Sequence, residues 1–194
     1  MNKLPNDLPQ KRRAICVFCG SSHGKDPAYT AAAQRLGVLI VENGFELVFG
    51  GGGVGLMGEV AASVAQKQGK ILGIIPVFLR HLEPPLNVVS QIVITETMSD
   101  RKSKMFAASD GFAVLPGGLG TLDEFAEAFT GAQLRQHNKP IVLINIKNYF
   151  DPLIALIDQF IAHGFAQPPV RDLYQVVATP EEAMAIFAAR QVSA

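Results

Sequence analysis

Glu124 and Arg101 are the residues of this chain whose types and surroundings best suit bond cleavage. Glu124 follows Thr121 by three positions, and Thr121 closes the run Pro116-Gly117-Gly118-Leu119-Gly120-Thr121. Glycines without side chains let an anion approach backbone N–H groups, and a helix starting there adds a partial positive charge. A carboxylate on the first turn of such a helix sits about one sugar's width from a bound phosphate. It can hydrogen-bond ribose hydroxyls and stabilise positive charge at the anomeric carbon. Thr121-x-x-Glu124 also fits a capping box, in which Glu124 would only satisfy a free backbone N–H. Both readings stand at this point.

Arg101 lies in Met98-Ser99-Asp100-Arg101-Lys102-Ser103-Lys104-Met105, with three cations over four positions. Such a run can be a solvated helix face. Met98, Met105 and Phe106 share one side at helical spacing, so that side packs. The helix starts just past an expected strand, which places Arg101 to clamp a phosphate or polarise a leaving base with its rigid fork of donors.

Two further small-residue loops follow expected strands: Cys19-Gly20-Ser21-Ser22 and Gly50-Gly51-Gly52-Gly53-Val54-Gly55-Leu56-Met57-Gly58. One such loop is ordinary turn chemistry; three at one sheet edge point to a phosphate-bearing ligand. Gly53–Gly58 fits G-x-G-x-x-G, but after Glu59 the next acid is Glu83, and the loop follows the second strand, which argues against a dinucleotide site. No P-loop is present. Cys16 and Cys19 have C-x-x-C spacing but lack the second pair that zinc requires. Three apart on a strand, they point to opposite faces, as buried structural thiols would. His23, His81, His137 and His163 are scattered, so no metal site is expected. Ser21 and Ser22 sit in no nucleophile elbow.

The elements that must position these groups alternate. Short apolar runs at 14–19, 45–49, 70–75, 88–94, 111–115 and 140–146 read as strands buried on both faces. Helices are expected from Pro27 to just before Gly44, over 54–68, 98–109 and 122–135, from Asp151 to before Gly164, and from Thr179-Pro180 onward. This alternation specifies an α/β, Rossmann-like three-layer fold: a central parallel sheet with helices on both faces, and ligands beyond the strand carboxyl ends. Residues 1–13 read as a flexible N-terminal arm and 14–190 as a single domain. Pro76–Pro85 is the one long irregular stretch inside it.

The chain has 194 residues, 48% hydrophobic and 18% charged, enough for one substantial core. Its 17 Lys plus Arg balance 17 Asp plus Glu, so no net field attracts nucleic acid. Low charge on so apolar a chain suggests a surface covered by another subunit. No apolar run is long enough to cross a membrane and no secretory signal precedes the first strand, so a cytoplasmic protein is expected.

Pro116–Glu124 matches P-G-G-x-G-T-x-x-E in full, and in this the chain resembles the Lonely Guy family of cytokinin riboside 5′-monophosphate phosphoribohydrolases, often mislabelled lysine decarboxylases. Val17–Ser22, Gly50–Gly58, Arg101-Lys102, Gln133-Leu134 and Lys139-Pro140 extend the likeness over about residues 14 to 165. The resemblance implies a homodimer with sites near the subunit interface. It also implies hydrolysis of a nucleoside 5′-monophosphate to free purine base and ribose 5-phosphate, with no cofactor. It puts Glu124 and Arg101 in catalytic positions, and Gly117, Gly118, Gly120 and Thr121 in phosphate-binding ones. Ser21 and Met98 match nucleotide-contacting positions. Ser99 stands in place of the family's usual histidine, Gly131 in place of a frequent tryptophan, and Gly53 in place of a commoner small polar residue. These changes bear on base preference. A non-catalytic nucleotide or molybdenum-cofactor carrier of the same fold is the alternative. Lysine decarboxylation would need a pyridoxal-phosphate lysine, and no arrangement of lysines suggests one.

Overall fold

The computed structural model describes residues 13–80 and 89–190. Seven parallel strands form one sheet: β1 (Ala14–Phe18), β2 (Glu46–Phe49), β3 (Ile71–Pro76), β4 (Gln91–Thr95), β5 (Gly111–Val114), β6 (Ile141–Ile144) and β7 (Gln175–Val177). Their order is β4-β3-β2-β1-β5-β6-β7. The winding therefore reverses between β1 and β5, the switch point beyond which open α/β sheets bind ligands. The α-helices are α1 (Pro27–Glu42), α2 (Gly55–Gln66), α3 (Met98–Ala107), α4 (Leu119–Gln133), α5 (Asp151–Ala162) and α6 (Pro180–Ala189).

Strand alternation sends Ile15 and Val17 of β1 into one core and Cys16 and Phe18 into the other. The first core lies under α1, α2 and α6, the second under α3, α4 and α5. Each fully buried large side chain contributes roughly 1.5–3 kcal/mol. With both faces covered, the central strands must be apolar throughout, which is why they read as continuous runs. Cys16 and Cys19 are buried in opposite cores as free thiols.

Helix signals worked where capping chemistry is explicit. Asp26 caps α1 by accepting from Ala28 N–H at 2.8 Å, Pro27 takes the first turn, and Gly44 follows in the left-handed region. Thr179 accepts from Glu182 N–H at 3.3 Å, while the Glu182 carboxylate reaches back to Ala178 N–H at 2.8 Å.

Several boundaries differ from expectation. α4 starts at Leu119, not Leu122, with Gly118 as N-cap. Thr121 is thus already inside the helix, and Thr121-x-x-Glu124 is not a capping box. α2 ends at Gln66 and α3 at Ala107, each two residues short of expectation. Within the described residues the fourth strand starts at Gln91, since Val89 and Ser90 precede it. β7 was not anticipated: three residues, mostly exposed at the sheet edge, carry too little apolar pattern to stand out. The expected arm falls almost wholly, and the irregular Pro76–Pro85 stretch in its second half, outside the described residues.

Candidate active site

The three glycine loops emerge from β1, β2 and β5, neighbours at the centre of the sheet. They are bonded to one another. Gly20 N–H donates to Pro116 O at 3.0 Å, and Leu56 N–H donates to Gly20 O at 3.0 Å. Their approach is too close for side chains. A Cβ on Gly117 would overlap the Thr121 hydroxyl, and one on Gly55, whose φ is +57°, would overlap Ser21 backbone. Around Gly118 and Gly120, by contrast, a Cβ would meet nothing within 4 Å. That open space lies over the first turn of α4, which has no side-chain cap. Its leading N–H groups have no intrahelical acceptor, an arrangement able to accept an anion.

Two adjoining cavities open here. One, of about 150 Å³, is lined by Cys19, Gly20, Ser21, Met57, Arg101, Thr121, Glu124 and the glycines of the α4 turn. The other, of about 310 Å³, runs past Ser21, Ser22 and His23 to Tyr29 and Tyr149.

Arg101 and Glu124 face each other in the smaller cavity. Arg101 Nη2 lies 3.6 Å from Glu124 Oε1, and their side chains are only 6% and 9% exposed. Burying two charges costs several kcal/mol per ion before their attraction repays it, so such a pair is weak evidence for stability. Arg101 Nη1 points at Met98 Sδ, 3.7 Å away, and its Nε is buried without a hydrogen-bond partner. A buried orphan donor is rare and calls for a functional explanation.

The flanking contacts fix this pair. Thr97 caps α3 by accepting from Asp100 N–H at 3.1 Å. Lys102 Nζ joins α3 to α4 through Asp123 at 2.8 Å and Glu127 at 2.5 Å. Gly50 at the end of β2 makes the remaining room: a Cβ there would overlap Arg101 Nη2. Burial, and then the Glu124 carboxylate, push the Cys19 thiol well above its ordinary pKa, which disfavours the reactive thiolate.

The family model described as "Possible lysine decarboxylase" matches residues 57–187. A rice (Oryza sativa subsp. japonica) protein named as a probable cytokinin riboside 5′-monophosphate phosphoribohydrolase is 44% identical over 168 residues, 87% of this chain and 68% of its own length. One cytokinin riboside 5′-monophosphate phosphoribohydrolase of Arabidopsis thaliana is 41% identical over 172 residues, 89% of this chain and 80% of its own length. The chain belongs to this family. Among solved structures, the molybdenum cofactor binding protein of Rippkaea orientalis superposes with a TM-score of 0.69 at 23% identity, covering 95% of this chain and 99% of that one. At that identity the likeness shows the Rossmann-like fold alone.

In this phosphoribohydrolase-family chain, Ser21, Gly118, Gly120, Thr121, Arg101 and Glu124 line one cavity, while Gly117 lines the adjoining one. Met98 lines neither, and reaches the site only through Arg101. Sequence reasoning placed Gly50 and Met57 in a glycine loop without a role of their own, and missed Tyr149. The glycine run at 50–53 carried the signal for Gly50, but not the fact that its missing side chain houses Arg101, an arginine far along the chain on α3. Ser99 is exposed on α3. Gly131 is buried, and a Cβ there would approach the His137 ring to 3.2 Å.

Proposed function

We propose that the chain hydrolyses the N-glycosidic bond of purine nucleoside 5′-monophosphates, AMP or its N6-modified forms, giving free base and ribose 5-phosphate. The observation that carries this reading is the buried Arg101–Glu124 pair, with its orphan Nε, beside the uncapped α4 turn. The turn and Ser21 hold the 5′-phosphate, with Gly117, Gly118, Gly120 and Thr121 forming the cradle. The C1′–N bond then breaks, and the base leaves with the bonding electrons. The Glu124 carboxylate stabilises the oxocarbenium-like sugar and takes a proton from the attacking water, and that proton passes on, directly or through solvent, to the departed base nitrogen, which restores the carboxylate. Arg101 stabilises charge on the departing base or holds the ligand, and Met98 supports the guanidinium. Phosphate binding supplies remote energy for distortion at the sugar.

Residues 14–190 act in this reading as one catalytic domain, and the active form is a homodimer. Leu119, Leu122, Leu156 and Phe160 are exposed on α4 and α5 beside the site, an apolar face suited to a second copy. A cytoplasmic setting accords with two free buried thiols, and no described helix is long and apolar enough to cross a membrane. No lysine lines either cavity among the described residues, so the site does not suit a pyridoxal-phosphate imine.

Chromatography of products from a nucleotide panel tests the reading. Base should appear from AMP or isopentenyladenosine monophosphate, with little from the unphosphorylated ribosides. Saturable nucleotide binding without released base would favour a carrier instead.

A further inference from the structure

Tyr149 lies outside every motif above, yet its hydroxyl donates to Gly117 O at 2.5 Å. We propose that Tyr149 is a positioning residue that aims the Gly118 N–H into the anion cradle. The inference rests on the reading of that cradle as the 5′-phosphate site.

The peptide joining Gly117 and Gly118 is trans, so its carbonyl and its N–H point in opposite directions. Holding the oxygen toward Tyr149 turns the N–H away from it. Gly118 lines both site cavities, whereas Tyr149 lines only the larger. Of the cavities that Gly118 lines, the one Tyr149 does not reach is that of Arg101 and Glu124, and an N–H turned away from Tyr149 is aimed to that side. Flanked by two glycines, this peptide has little steric resistance to flipping. A flipped peptide would present its carbonyl oxygen to the phosphate and repel it.

The chain spends conformational energy to deliver this hydroxyl. Lys147 and Asn148, immediately before Tyr149, both adopt left-handed backbone, with φ of +55° and +60°. Consecutive non-glycine residues there are costly, and such strain persists only where surrounding contacts over-determine it. Asn145 supplies those contacts. Its Nδ2 donates to Asp151 Oδ1 at 2.8 Å, its Oδ1 accepts from Phe150 N–H at 2.7 Å, and its backbone N–H reaches Val177 O on β7 at 2.8 Å. The Tyr149 ring is set edge-on against Tyr29, with centroids 5.8 Å apart. A strained turn braced on three sides thus ends in one hydrogen bond to the glycine loop.

Tyr149→Phe in the full chain keeps the ring and removes the tether. Calorimetry with inorganic phosphate, AMP and adenosine, alongside the melting temperature, reads the result. Affinity for phosphate and AMP should fall about tenfold, the scale of one hydrogen bond to an aligned group. Adenosine affinity should not change, and the melting temperature should fall by no more than about 4 °C. If AMP is turned over, kcat/KM should fall by at least the same factor. Unchanged phosphate and AMP affinity overturns the inference, as does an equal loss for adenosine, which would mark general damage. Wild-type protein that binds phosphate but releases no base sinks the hydrolase reading alone. Wild-type protein that binds no phosphate sinks both.

Discussion

Cavities lie at both ends of the sheet, and the larger, more basic one is not the candidate site. At the strand amino ends, a cavity of about 520 Å³ is lined by Arg135, His137, Lys139 and Arg190 beside Asp172. Its cations are mostly committed. Lys139 Nζ donates to Phe106 O at 2.6 Å, and Arg190 donates to Asn138 O. His137 accepts from Lys139 N–H through Nδ1, so its Nε2–H donates to Ala128 O at 2.9 Å. At the carboxyl ends the volumes are smaller, but a buried guanidinium Nε has no partner and a helix turn has no side-chain cap. Among the groups that line these cavities, an unspent buried donor, rather than size, distinguishes the candidate site.

The largest effect should come from Glu124→Gln, which keeps shape and loses charge. Turnover should fall on the order of a thousandfold while AMP binding stays measurable. The matching change at the other end, Arg190→Ala, should leave turnover within about twofold. Steady-state kinetics on both variants decides the comparison. Wild-type rates for Glu124→Gln, or collapse for Arg190→Ala, would reverse it.

Gly50→Ala comes next. The added methyl would overlap Arg101 Nη2 and push the guanidinium from its slot while touching no ligand. Misplacing a catalytic group by about 1 Å can cost on the order of a hundredfold, so kcat/KM should drop by about that much. Circular dichroism should still report a folded chain. Wild-type activity would mean that Arg101 need not occupy its buried position.

Much of this was legible in sequence because its signals are local. Continuous apolar runs gave the central strands, and Asp26, Pro27 and Thr179 gave helix starts. The nine residues Pro116–Glu124 gave the cradle and its acid together. What could not be read depends on approach between distant segments. Thr121 looked like a cap because the spacing suits one; only the packing of Gly117 against Gly20 and Thr121 shows the helix starting earlier. Gly50 looked like a turn residue, and its partner lies on another element. Tyr149 sits in a turn whose left-handed backbone is carried by Lys147 and Asn148, and lysine gives no sign of that conformation.

The smallest effect sharpens the amino-terminal end. Burial, the largest influence, holds the His137 imidazole below its ordinary pKa despite the hydrogen bond to Ala128. The unfolded chain therefore binds a proton more readily than the folded one. Stability attached to the neutral ring is full above the ordinary histidine pKa of about 6.5 and declines as pH falls through it. Urea midpoints should drop modestly between about pH 7 and pH 5.5, a window above the range where the paired carboxylates Glu59 and Glu181, both held below their ordinary pKa, begin to titrate. His137→Gln, whose amide can still donate to Ala128 O, should flatten that drop without altering turnover. If the drop persists, another group carries the proton. If turnover follows it, this end is coupled to the chemistry after all, and the contrast between committed and unspent donors fails.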